Sequence, residues 1–289
     1  MRKERMWIGC AALDCVPGAR QDRRMRGGNY LIAAMALLAS AAAQAADEPA
    51  ICADRPGKAT STCTVPAGRW QVETGLADWS LKKGQGERDT LLVLGETTVK
   101  YGLTNRSDIE IDLTPWQRAT SRGQGFHDTA SGVGDVNVRY KQRLTDDDAP
   151  VQVSTLPFIK VPTAKHSLGN GKWEGGLLVP ISFAIGKSPF SIGLTPELDW
   201  VADGNGHGHH AAMAQVASLG WQANARLNLS GEIWGQWDWD PSGTGKQASA
   251  DAAVAYLLSD DFQLDAGANF GLNKQTPGLE LYFGVSKRF

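Results

Sequence analysis

Three places in the sequence hold residues whose types could do chemistry. The run Gly204-Asn205-Gly206-His207-Gly208-His209-His210 sets three imidazoles within reach of one divalent ion. A glycine-rich loop positions ligands poorly, so the favoured reading is a solvated loop, and no metal is assigned. His127 stands beside Asp128 and Ser131, the residue types of a hydrolase, yet no G-x-S-x-G or other nucleophile motif surrounds them. No catalytic residue is therefore assigned, and the expectation is of no enzyme. Cys52 and Cys63 flank Pro56 and Gly57, and no further metal-type ligands lie near them. Beyond residue 45 there is no phosphate-binding loop, CxxC pair or nucleotide fingerprint, and no cofactor is expected.

The setting of these residues follows from the first 45 positions. Arg26 precedes an apolar run from Tyr30 to Ala43, which ends in Ala43-Gln44-Ala45 before Ala46. A basic flank, an apolar stretch and an A-x-A site make a secretory signal cleaved between Ala45 and Ala46. The apolar run is too short for a membrane-spanning helix. Residues 1–24 precede a good start at Met25, which reads as the true initiator. Export places Cys52 and Cys63 in an oxidising compartment, where a disulfide is the default. Beyond residue 45 there are 22 basic and 28 acidic residues and no basic patch, which gives nucleic-acid binding no support.

From Val65 onward the sequence has a period of two. Ile109-Glu110-Ile111-Asp112-Leu113 alternates strictly between apolar and acidic, and similar runs surround Val138, Val153, Leu194 and Leu264. Twelve strands are expected, near 66–81, 88–102, 105–119, 132–144, 149–163, 172–186, 189–202, 212–225, 227–240, 246–258, 261–273 and 278–289. Short turns are expected near 103–107, 145–148, 186–188, 224–226 and 259–260. Longer glycine-rich loops should fill 82–87, 120–131, 164–171, 203–211, 241–245 and 274–277. An even strand count, strands longer than in soluble sheets, and short turns alternating with long loops predict an all-β, antiparallel, up-and-down transmembrane barrel over 65–289. Mean hydropathy is -0.28, compatible with a barrel in which only alternate residues meet lipid. Residues 46–64 are set apart as a periplasmic segment bearing the cysteine pair.

One face of each strand would then meet lipid and the other the lumen. The predicted lumen lining is Glu73, Glu96, Lys100, Glu110, Asp112, Asp135, Arg139, Lys141, Lys160, Glu174, Glu197, Asp199, Glu232, Asp238, Asp251 and Asp265. An acidic excess of this kind disfavours anions, whereas a salt-bridged filling would merely satisfy buried charge. Trp70, Tyr101, Trp116, Tyr140, Trp173, Trp200, Trp237, Trp239 and Phe289 fall near strand ends, as interfacial girdles require. In the last strand Leu279, Leu281, Phe283, Val285 and Phe289 share the lipid face, with Tyr282 and Gly284 opposite. A terminal aromatic in that register resembles the signal read by the barrel assembly machinery, with Tyr282, Gly284 and Phe289 as its residues. Lys287 sits where that signal is usually apolar, and at an interface it can snorkel.

Several segments resemble the outer-membrane family named "putative MetA-pathway of phenol degradation", whose members are often called transporters. They include Arg69-Trp70-Gln71-Val72-Glu73-Thr74-Gly75, Tyr101-Gly102-Leu103-Thr104-Asn105-Arg106 and Ser131-Gly132-Val133-Gly134-Asp135. Leu156-Pro157-Phe158-Ile159-Lys160-Val161-Pro162-Thr163, Gly169-Asn170-Gly171 and stretches within Tyr256–Asn273 continue the likeness. The resemblance implies a barrel in the outer membrane of a Gram-negative bacterium that passes small molecules, aromatic compounds among them. Its partners would be outer-membrane lipid, the assembly machinery and a small solute. The alternatives are a non-conducting structural or ligand-binding barrel, which a plugged lumen would favour, and, less favoured, a barrel hydrolase.

Overall fold

The computed structural model describes residues 49–84 and 86–289, so the leader, Met25 and the cleavage site at Ala45 and Ala46 lie outside the described residues. The strands are β1 (Trp70–Gly84), β2 (Glu87–Thr104), β3 (Ser107–Leu113), β4 (Trp116–Gly123) and β5 (Phe126–Gly132). Next come β6 (Val136–Arg143), β7 (Gln152–Val161), β8 (Glu174–Leu178), β9 (Ile181–Ala184) and β10 (Phe190–Ala202). The series ends with β11 (His209–Gln222), β12 (Leu227–Asp238), β13 (Gly245–Ser259), β14 (Phe262–Gly271) and β15 (Leu279–Arg288).

Each strand pairs antiparallel with its neighbours, and β1 pairs with both β2 and β15, which closes the sheet into a barrel. Three staves of that barrel are broken in two. Pro115 separates β3 from β4, Val133–Asp135 separates β5 from β6, and Pro180 separates β8 from β9. Proline has no N–H for the ladder, so a strand breaks there. The freed groups are still satisfied: Gly134 N donates to Thr114 O at 2.8 Å and Ser154 N to Pro180 O at 2.9 Å. Counting each broken pair once leaves twelve staves, as the periodicity predicts.

The period of two sorts the faces. Leu198, Trp200, Ile233 and Phe283 are exposed on the outside, while Glu73, Lys100, Glu110 and Asp265 at inward positions are buried. Outward side chains that would be misplaced in water are at home in lipid. Among the girdle residues, Trp70 packs on Tyr101 with ring centroids 4.7 Å apart, at the end where Phe289 N donates to Trp70 O (2.8 Å).

Two of the expected long loops are not loops. Residues 82–87 belong mostly to β1 and β2, turned at Gly86 with φ 82°. Residues 120–131 are the tip of a β4–β5 hairpin, turned at Gly125 with φ 83°. Glycine takes that left-handed conformation without steric penalty, so both hairpins turn tightly. The short–long alternation is correspondingly weaker: residues 144–151, at the end where the termini meet, form a longer connection than either hairpin tip. The loop expected at 203–211 is also shorter, since β11 begins at His209.

Candidate functional site: the occupied lumen

The segment set apart as residues 46–64 is not outside the barrel. From Pro49 to Val65 it lies inside the lumen, and it touches nearly every stave. Arg288 Nη2 donates to Pro49 O (2.9 Å), and Ile51 N donates to Asp260 O (2.6 Å). Further along, Thr60 N reaches Thr195 Oγ1 (3.1 Å), Thr62 Oγ1 meets Ser182 Oγ (2.9 Å), and Val65 N reaches Asp108 Oδ2 (2.8 Å). The segment leaves across Gly102, where any Cβ would collide with the carbonyl oxygens of Val65 and Pro66. The Cys52 and Cys63 sulfurs are bonded, which ties the inbound limb to the outbound one.

Three charged residues inside that disulfide loop hold it to the wall. Asp54 accepts from Lys100 Nζ at 2.5 Å and from Lys141 Nζ at 2.7 Å. Lys100 also meets Glu73 (2.6 Å) and Glu110 (3.7 Å), Lys141 meets Glu110 (3.4 Å), and Arg139 bridges Glu110 (3.1 Å) and Asp112 (2.5 Å). The side chains of Lys100, Glu110 and Lys141 are at most 2 % exposed. Burial alone would raise the Asp54 carboxyl, but the ammonium groups of Lys100 and Lys141 overturn that and hold it well below the usual carboxylate range.

Arg55 runs to Asp265 (2.9 Å) through a notch made by Gly75 and Gly284, which face each other across β1 and β15. A Cβ on Gly284 would strike the Arg55 guanidinium, whose carbon stands 6.0 Å from the Tyr282 ring centroid. Tyr282 and Gly284 thus face inward and seat the segment. Lys58 completes the set, with Nζ 2.9 Å from Asp251 and its backbone N donating to Glu232 Oε2 at 2.7 Å. Sequence reasoning missed Asp54, Arg55 and Lys58, since neither period nor motif marks them. Three charges enclosed by one cysteine pair was the available signal.

The remaining predicted residues sit farther from the segment. Lys160 pairs with Glu174 (2.5 Å) and Asp135 (3.4 Å), whose Oδ1 also accepts from Ala164 N (2.8 Å) and so draws the 162–173 connection inward. Glu96, Glu197 and Asp199 occupy inward positions, without a basic partner in hydrogen-bonding contact among the described residues. Asp238 takes His210 Nε2 at 2.5 Å, while Asp203 takes its Nδ1 at 2.8 Å. The histidine run is therefore not simply solvated, because His210 is clamped between two carboxylates. Among the described residues no group of three or more His, Cys, Asp or Glu has an arrangement that could hold a metal ion. His127 and Ser131 lie on β5, four residues apart and so about 13 Å along the strand, and Asp128 points to the opposite face. These residue types are not brought together.

Between the segment and the β9–β13 wall lies a cavity of about 460 Å³. Its wall side carries Ser182, Ser191, Gly193, Ser218, Gly220 and Ser230 beside the larger Gln222, Asn228, Glu232 and Gln263. A closed antiparallel barrel with an apolar belt outside and a charged, partly filled lumen inside is a transmembrane barrel of the outer-membrane type. The chain belongs to the family described as "Putative MetA-pathway of phenol degradation", whose sequence profile matches residues 53–289. Its fold is similar to that of an outer membrane channel from Pseudomonas putida F1, at TM-score 0.65 and 15% identity over 81% of this chain and 99% of that one. The translocator domain of the autotransporter NalP from Neisseria meningitidis is a second likeness, at TM-score 0.50 and 12% identity over 78% of this chain and 90% of that one. No curated protein matches the chain.

Proposed function

We propose that this barrel is a passive outer-membrane channel for small molecules, whose route runs beside the lumenal segment rather than through an open pore. The observation that carries this reading is the cavity of about 460 Å³, whose wall side is rich in serine and glycine. Side chains of ordinary size at Ser191, Gly193, Ser218 and Gly220 would fill it. The family description supports phenols and related aromatic compounds as the solute class. Passage would follow the concentration gradient, with no catalytic step and no cofactor. The acidic excess of the lining disfavours anions.

Substituting Ser218→Phe narrows this route without touching an ion pair. Phenol entry into liposomes carrying the variant is expected to fall several-fold, with the barrel's heat-modifiable mobility unchanged. Equal uptake by variant and parent, or no uptake by the parent, would sink the proposal. The second reading, a non-conducting barrel, is favoured by the ion-paired segment that fills the lumen, and planar-bilayer recording separates the two. We further read Phe289, with Tyr282 and Gly284, as the assembly signal, supported by the lipid-face register of Phe283 and Val285 with Phe289.

A further inference from the structure

Four residues outside the pore stand in one row. Across β1 and β2, Lys83 pairs with Arg88; across β2 and β4, Arg88 pairs with Arg122; across β4 and β5, Arg122 pairs with His127. Directly opposed residues of antiparallel strands point to the same face. All four are exposed. The adjacent row points inward: there Ser121 Oγ donates to Asp89 Oδ1 at 2.5 Å, and two residue pairs further Ser80 and Leu91 are buried while Trp79 and Leu92 beside them are only half-buried. The basic row is therefore on the outer face of the barrel. It stands at the end away from the Trp70–Phe289 junction.

No carboxylate among the described residues pairs with this row. Among the described residues Lys83, Arg88 and Arg122 have no hydrogen-bonded or ion-paired partner, and the nearby acids Asp89 and Asp128 lie on the inward row. Like charges directly opposite one another destabilise a sheet. On the same face, nearer the membrane, Thr90, Thr120 and Thr129 form a row of hydroxyls, and in the outward row below them Arg118 pairs with Leu92, which pairs in turn with Trp79. Tryptophan marks the membrane interface. The order from the membrane outward is thus aromatic with one arginine, then hydroxyls, then three or four cations.

We propose that this face of the two hairpins binds a phosphorylated glycolipid of the outer leaflet. The guanidinium groups of Arg88 and Arg122, with Lys83, take its phosphates, and the threonine row meets its sugar hydroxyls. Arginine forks match phosphate oxygens two at a time, and an anion between them converts the repulsion of the row into attraction. The site lies outside the lumen and does not depend on whether the barrel conducts.

The test uses the full barrel in neutral detergent, titrated with diphosphorylated lipid A and with its dephosphorylated form. The parent is expected to prefer the phosphorylated lipid by about tenfold, and the Arg88→Gln/Arg122→Gln double variant is expected to lose that preference. Unchanged heat-modifiable mobility and unchanged phenol uptake would show that the variant barrel is intact. Equal affinity of the parent for both lipid forms, or full retention of the preference in the variant, would overturn the assignment. So would phosphatidylglycerol vesicles that compete as well as lipid A, because any anionic headgroup would then suffice.

Discussion

Excising residues 46–64 is expected to raise single-channel conductance several-fold while leaving the barrel folded. The closed ladder begins at Trp70 and owes none of its strand pairing to the segment. What the segment contributes is filling and charge: Arg55 against Asp265, Lys58 against Asp251, and Asp54 between Lys100 and Lys141. Once it is gone, water enters and hydrates those wall charges, so they are not left buried and unpaired. Ion selectivity should shift little, because Arg55 and Lys58 leave together with Asp47, Glu48 and Asp54. Planar-bilayer recording in asymmetric salt reads both effects. Conductance no larger than that of the parent would mean that the segment is not the constriction. A milder form, Asp54→Asn with Arg55→Gln and Lys58→Gln, keeps the chain and the disulfide but loosens the seat, and brief openings are expected in place of a steady rise.

Glu110→Ala is expected to destabilise the barrel by about 3–5 kcal/mol, the range for removing one partner from a buried charge cluster. Glu110 has no solvent-exposed side-chain surface and faces Lys100, Lys141 and Arg139 together. Its loss takes away the one carboxylate that Lys100, Lys141 and Arg139 share, in a place water reaches poorly. Urea unfolding in lipid vesicles measures the change. Replacing both Glu110 and Lys141 by methionine should recover most of it, since a buried pair exchanged for apolar side chains is close to neutral. The pH response of the same cluster has a definite sign. The Asp54 carboxyl is held well below its ordinary value of 3.8, so its contribution to docking is complete above 3.8 and is lost only as the pH falls through the lower folded value. Asp54 should therefore add no opening of its own between neutral pH and 3.8, so parent and Asp54→Asn barrels should keep a constant conductance ratio over that range. Opening that began well above 3.8 would show that another group governs the seat.

Much of this architecture can be read in the amino-acid order, for a definite reason. Where lipid lies on one side and water on the other, each strand must alternate, and Ile109–Leu113 or Leu279–Val285 announce both their strand and its faces. The signal stops where the lipid stops. Residues 82–87 and 120–131 carry lysine, arginine, threonine and glycine on both faces of hairpins that rise above the membrane, and Phe126 and Ala130 alone set no alternation that would mark them as strand. The lumenal segment was hidden for a different cause. Asp54 finds Lys100 at 46 residues' separation and Arg55 finds Asp265 at 210, and pairings at such distance leave no local pattern. Alternation places Glu73, Lys100, Glu110 and Asp265 on the inner wall, yet it is silent about what they hold. The inward turn of Tyr282 and Gly284 shows the same limit, since their register is plain and their contact with Arg55 is not.

The lumenal segment also fixes an order of events. Ribosomes make Pro49–Val65 before any stave it touches, from Gln71 on β1 to Arg288 on β15. Its seat is finished only when the last stave closes on the first, because Arg55 reaches Asp265 on β14 through the Gly75–Gly284 notch, which is made by that seam. The cysteines can join early, being 11 residues apart, so a small ring of chain can wait while the wall is built around it. A stretch of this protein made before its whole barrel is thus among the last to reach its place.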